Sequence, residues 1–260
     1  MVRAQRDDRR EPAAEPGVSA LRQWFDDSIL FETDAVPVAI GQTLQLVFVP
    51  FFFVVLLGIP LGVLLYATAP GGLAPIRWLN SSLGVVVNVT RSLPFLVLVI
   101  ALWPLGRLLV GSSLGTVAAM VPLTIGTVPF LARLVESSLR DVDSGKIDAA
   151  RVVGATRWQI ITKTLLPEAI SGIIAGLTIT IIALLGFSAL AGVIGGGGLG
   201  DLAIRYGARS YDGPVLWSTV LLLIVFAQIF QVVGDYFARR TDHRARRTGR
   251  DAGESQHLTA

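Results

Sequence analysis

Two histidines, a run of glycines and no cysteine are the first features through which these 260 residues could do chemistry. His243 and His257 both lie in the polar C-terminal stretch, so no imidazole stands among the apolar segments for a metal site, a triad or a proton relay. The lack of cysteine removes disulfides, thiolate metal sites and a thiol nucleophile, and leaves the redox compartment open. The run "GGGGLG", Gly195 to Gly200, formally fits G-x-G-x-x-G. It follows an apolar helical stretch instead of a strand and lacks the Gly-Lys-Ser/Thr of a phosphate loop, so nucleotide binding is not its reading. Gly195, Gly196, Gly197, Gly198 and Gly200 read as the outer turn where an apolar helix ends, either a flexible loop or a moving gate. Arg91, in "TRSLPF", and Asp235 are the ionisable groups within apolar stretches. Such groups are expensive in hydrocarbon and usually functional. With no Asp, Glu or His near mid-membrane, a proton-driven carrier loses its relay, and the energy source is expected on another chain. No catalytic set and no metal site is assembled.

The elements that carry these residues follow from composition. Hydrophobic residues make up 52% and charged ones 16%, against about 25% charged in an average soluble domain, which predicts an all-α integral membrane protein. Crossing about 30 Å of hydrocarbon takes around 20 apolar residues. Five stretches qualify: about 41–67, 83–103 with a possible extension to Val110, 114–132, 169–194 and 214–238. Residues 1–37 form a polar tail, disordered up to about Val18, with a weakly amphipathic stretch from Leu21 to Phe31 that suits a membrane surface or solvated coil. That start has no apolar h-region and is not a cleavable signal. Residues 38–240 form the transmembrane domain, 133–168 a loop within it, and 241–260 a basic tail.

Five spans put the two ends on opposite sides. A cytoplasmic C-terminus places thirteen Lys and Arg inside and eight outside, four of the latter far from any span. The positive-inside rule therefore sets the N-terminus outside and the 133–168 loop in the cytoplasm of a plasma-membrane protein. The net charge of +3 shows no basic stripe with interleaved aromatics, which argues against nucleic acid. Gly58 with Gly62, and Gly172 with Gly176, have the four-residue spacing that lets helices approach closely, within a bundle or at a dimer face. Pro60, Pro94, Pro122 and Pro129 are expected to kink their helices. Asn80 and Asn88 begin sequons that fall inside or within a span and read as chance matches.

The loop contains "DAARVVGATRWQIITKTLLPEA", residues 148–169. Lys146 to Trp158 is compatible with three helical turns capped by Asp143 or Ser144, with Ile147, Ala150, Val153, Gly154 and Trp158 on one broad face and Arg151 and Arg157 elsewhere. Gly154 costs about 1 kcal/mol inside a helix, so the helix turns there or a partner's backbone comes very close. Pro167 is suited to start the next helix.

Asp148-Ala149-Ala150, three residues, Gly154, and then Leu166-Pro167 resemble the EAA signature of ABC importer permeases, with Asp148 in place of the usual Glu. The resemblance runs over residues 38 to 240 and sharpens to the methionine uptake family of type I importers at "GIPLGVLLYATAPGG" (58–72), "TRSLPFLVLVIAL" (90–102), "VPLTIGTVPFLARLVESSL" (121–139) and "GFSALAGVIGGGGLGDLAIRYG" (186–207).

That likeness implies the five-helix type I permease bundle, working as a homodimer on two MetN-like ATPase subunits, with a MetQ-like binding protein delivering methionine and membrane lipid around it. ATP and Mg belong to the partner ATPase, and this chain binds no cofactor of its own. Asp148, Ala149, Ala150 and Gly154 then transmit force, with Leu166 and Pro167 fixing the exit of the loop. Phe187, Ser188, Leu190 and Ala191 are implied as pathway surface at the dimer axis. Arg91 and Pro94 stabilise the inner end of span two, or Arg91 snorkels to headgroups. Against this stand the same machine with another amino acid, a small peptide or a sulfur compound as cargo, and an ATP-independent channel or secondary carrier.

Overall fold

The structure, a computed structural model, describes residues 34–112 and 114–241. The stretch at 21–31, His243 and His257 lie outside those residues. The described residues are helical with no strand. Helix α1 (Ala35–Thr68) has 34 residues, about 51 Å at 1.5 Å per residue, enough to cross a bilayer and continue beyond it. One side of it buries Leu46, Val47, Val54 and Leu65; the other leaves Phe52, Leu56 and Leu57 more than half exposed. A row of large apolar side chains facing outward suits lipid and would be a liability in water.

Helix α4 (Thr116–Arg140) is the centre of the bundle, with Leu123, Leu131, Ala132 and Val135 fully buried. Both glycine pairs serve contacts onto α4 within the subunit. A Cβ on Gly62 would stand 2.6 Å from the Ala132 carbonyl oxygen, and one on Gly58 3.0 Å from Leu131. Across α4, Gly172 would meet the Ser138 hydroxyl at 2.9 Å and Gly176 the Leu134 Cβ at 3.2 Å. Small residues here let three helices lie nearly backbone to backbone.

The second apolar stretch differs from the single span expected of it. It forms α2 (Arg77–Ser92) and α3 (Phe95–Val110), bent by 112°. The cause is Pro94: the residue before a proline is driven out of helical geometry, and Leu93 sits at φ −77°, ψ 136°. Four other helices are long and apolar enough to cross a membrane, and the bent pair makes a fifth if counted as one span. Asn80 donates to the Leu65 carbonyl at 2.8 Å and to the Thr68 hydroxyl, tying α2 to the end of α1. Asn88 accepts from Arg133 at 2.9 Å. Both asparagines bind neighbouring helices together.

After α4 come the short α5 (Ser144–Val152), then α6 (Arg157–Val193), α7 (Gly198–Leu202) and α8 (Gly213–Thr241). Thr156 and Gln159 form a capping box at the start of α6, two orphan donors satisfied reciprocally. The regular α-helical part of α6 runs Leu166–Val193, and Pro167 stands in its first turn, as expected. A wide π turn over Ile160–Leu165 precedes the proline, with the Leu166 N–H reaching back five residues to Ile161. The widened turn accommodates the ring and missing N–H that would otherwise break the helix. Helix α8 crosses α6 at Gly234, whose Cβ would lie 2.6 Å from Thr178 Cβ.

Candidate functional site

The coupling candidate is built around the end of α5. Asp143 caps its start by accepting from the Gly145 N–H at 2.9 Å. Its end is a Schellman motif: the Gly154 N–H reaches the Arg151 carbonyl and the Ala155 N–H the Ala150 carbonyl, each at 3.0 Å. Gly154 sits at φ +80° with nothing within 4 Å of where a Cβ would be. Of the two readings of Gly154, the helix turning is the one observed. Ala150 and Ala155 pack together against the core around Leu139, Val142, Ile147 and Ile160. This is the small apolar contact that accompanies such a cap, and the Ala150-to-Gly154 spacing now has a mechanical reason.

Because α5 ends at Val152, the broad face expected through Trp158 does not form. Ile147 is 7% exposed and faces the bundle, whereas Val152, Val153 and Trp158 are 87%, 82% and 72% exposed. Asp148 and Ala149 are also exposed, and Asp148 is paired with Arg151 at 3.1 Å. Leu166 is half-buried in the same core as Ile147, and Pro167 is exposed. The sequence reading missed the link from this segment to α6: the Lys146 ammonium is ion-paired with the Glu168 carboxylate. Twenty-two residues separate them, so no local spacing rule points to the pair. Lys146→Glu should reduce uptake relative to ATP hydrolysis in a reconstituted transporter, and adding Glu168→Lys should recover much of it. A double variant no better than the single would make the pair incidental.

Helix α6 carries the pathway candidates, and the structure divides them. Ser188 is 2% exposed, its hydroxyl donating to the Leu185 carbonyl at 2.7 Å, and Ala191 is fully buried against Leu46, Leu123 and Leu184. These two belong to the core of the subunit and are withdrawn as surface. Phe187 is partly buried and stacks on Phe95, ring centroids 3.7 Å apart. Leu190 does reach the surface, on an exposed apolar stripe with Ile179, Gly186 and Val193. At about 100° per residue the four positions spread over an arc of about 160°, with Leu190 at one edge reaching the exterior and Ser188 at the other turning into the core. Beside the stripe an apolar groove of about 340 Å³ runs between α6 and α8, past Gly186, Ala189, Val220 and Ile224.

The glycine run is a packed corner, which corrects its reading as a flexible loop. Gly198, Leu199 and Gly200 are buried. Gln42 Oε1 accepts from the Gly198 N–H at 2.7 Å, and Thr43 Oγ1 from the Leu199 N–H at 2.8 Å. Gly195, Gly197 and Gly198 have positive φ, while Gly196 is enclosed by Ala191 and Ala119. The two α1 side chains satisfy the start of α7, a job that no local pattern around Gln42 and Thr43 announces.

Arg91 is exposed on the last turn of α2, its guanidinium carbon 5.9 Å from the Phe130 ring centroid, within cation–π range. Pro94 stands at the α2–α3 bend beside it. Deeper in the bundle, Glu136 is 3% exposed and accepts from Arg133 at 2.6 Å and Arg140 at 2.7 Å. Through the Arg133–Asn88 bond this triad joins α4 to α2. The sequence reading placed both arginines in the loop and did not single out the acid between them.

Residues 58–247 match the family described as the binding-protein-dependent transport system inner membrane component. The probable D-methionine transport system permease protein of Vibrio cholerae is 49% identical over 87% of this chain and 99% of its own. The methionine import system permease protein of Bacillus subtilis is 44% identical over 70% of this chain and 82% of its own. Among solved structures, an inward-facing MetNI methionine ABC transporter chain superposes with a TM-score of 0.79 at 40% identity, covering 80% of this chain and 97% of that one. With the family matched across most of the bundle and the coupling segment inside the match, this chain belongs to the binding-protein-dependent inner-membrane transport components and has their permease fold.

Proposed function

We propose that this chain is the permease of an ATP-driven methionine importer, acting as a homodimer docked on two copies of a separate ATPase and fed by an external binding protein. The observation that carries the proposal is the end of α5, where a rigid cap holds Val152, Val153 and Trp158 out in solvent beside the exposed Asp148. An apolar patch of this kind on a short, well-capped segment suits burial against a partner. The charge distribution supports a cytoplasmic α5 with the N-terminus outside. ATP and Mg then sit on the partner, and Asp148, Ala149, Ala150 and Gly154 pass its motion to the bundle. Leu166 and Pro167 carry that motion into α6.

The stripe at Ile179, Gly186, Leu190 and Val193, with Phe187 at its edge, is the surface we assign to the dimer axis. Its lack of charge suits a neutral cargo with an apolar side chain, and the methionine permeases among its relatives narrow that class to methionine. The packed corner at Gly195–Gly200 moves with α6 as one body. Transport is alternating access: nucleotide binds one arrangement of the pair more tightly than the other and shifts the population between them.

The docking surface is tested by replacing both Val152 and Val153 with Asp. The ATPase should no longer co-purify with the permease, while the permease's melting temperature stays where it was. Retained co-purification would remove α5 from the interface.

A further inference from the structure

A cavity of about 170 Å³ opens where the turn after α1, the end of α4 and α5 meet. Its polar walls are Tyr66, Arg140, Ser144, Asp148 and Arg151, with the backbone of Gly72 on one side. The two arginines come from different elements, α4 and α5. Arg140 gives its Nε and Nη2 to Glu136, a carboxylate it shares with Arg133. Arg151 gives Nη1 to Asp148 across an open pair, with side chains 48% and 66% exposed, and exposed pairs of this kind hold weakly. Of the charged side chains that line the cavity, two are guanidinium groups, Arg140 and Arg151, and one is a carboxylate, Asp148, around a space no side chain fills. Guanidinium forks suit tetrahedral oxyanions, which they bind through two N–H groups at once. The phenol of Tyr66, which has no hydrogen-bond partner among the described residues, and the hydroxyl of Ser144 add neutral donors. Tyr66 lies in the last turn of α1.

We propose that this cavity is a phosphate site, held by Arg140 and Arg151, that ties α5 to the end of α4. The phosphate can be that of an anionic phospholipid headgroup or of a dissolved ion. A phosphate on Arg151 competes with Asp148 for the same guanidinium. Where α5 docks an ATPase, a consequence that rests on the reading above, occupancy therefore releases the Asp148 carboxylate toward the partner.

The chain has no cysteine, so Ser144→Cys places one thiol in the cavity wall, and its rate of alkylation by uncharged N-ethylmaleimide reports occupancy. The full chain is used in nanodiscs, without the ATPase, so failure of the docking reading leaves the result standing. Discs containing phosphatidylglycerol should slow alkylation several-fold relative to phosphatidylcholine discs, which assigns the site to lipid. Slowing in phosphatidylcholine discs by inorganic phosphate at constant ionic strength assigns it to the dissolved ion. In either case Arg151→Gln should abolish the protection, and Asp148→Asn, which removes the competing carboxylate, should preserve or increase it. Protection lost in Arg151→Gln and kept in Asp148→Asn would not arise from a general loss of folding. No slowing in either condition, or equal slowing in Arg151→Gln, overturns the site.

Discussion

Gly200→Val removes the folded permease from the membrane. A Cβ at Gly200 would lie 2.5 Å from Ala189 Cα, and one at the facing Gly192 would lie 2.7 Å from the Gly200 carbonyl carbon. These are main-chain atoms, so no rotamer change can make room, and α7 must separate from α6. Overpacking costs about 1–3 kcal/mol even where side chains yield, against a net stability of roughly 5–15 kcal/mol for a whole protein. Moving α7 also breaks the bonds from Gln42 and Thr43 to the Gly198 and Leu199 amides, leaving buried donors unpaired. Size-exclusion of a fluorescent fusion reads the result. Gly200→Val should give aggregate, and Gly41→Ala, with nothing within 4 Å, should elute normally. Wild-type elution of Gly200→Val would mean that α7 does not pack as described.

Gly154→Val separates coupling from folding. The site is sterically open, so the bundle has no reason to change, but φ is +80°, a region that costs an L-residue about 1–2 kcal/mol and a β-branched one more. The cap at Ala150 and Ala155 opens, and Val152, Val153 and Trp158 lose their fixed placement. Binding-protein-stimulated ATP hydrolysis by the assembled transporter should fall about tenfold, the change expected for about 1.4 kcal/mol at one interface. Its melting temperature should stay near wild type. Gly154→Asn should retain more activity, because Asn enters the left-handed region more readily. Equal activity for Gly154→Val would remove the cap from the transmission path.

The two glycines show what a sequence can and cannot disclose. Gly154 was legible as special because glycine inside a helical pattern needs a reason, and of the two reasons open to it, a turn or a close partner backbone, the structure shows the turn. Gly195–Gly200 was legible as a turn. Its tight packing was not, because the contacts come from Gln42 and Thr43 more than 150 positions away. Apolar length located the membrane-crossing helices, since hydrocarbon thickness sets a minimum. Pro94 marked a bend without its angle, and Gly58, Gly62, Gly172 and Gly176 marked close contacts without naming α4 as their common partner. The pathway candidates failed in part because a family likeness transfers a stretch of helix, while function uses one face of it. Ser188 and Ala191 turn inward where Leu190 turns outward. The T-x-x-Q pattern at Thr156 to Gln159 was present as a capping box that the reading could have used.

The central claim is that motion generated on a partner ATPase passes through α5 to move methionine across this bundle. Its most direct test is uptake of labelled methionine into proteoliposomes holding this chain, its ATPase and its binding protein, with and without internal ATP. The account predicts uptake that requires all three proteins and internal ATP, and that is lost with Gly154→Val. Uptake by this chain alone, or uptake indifferent to ATP, would contradict it.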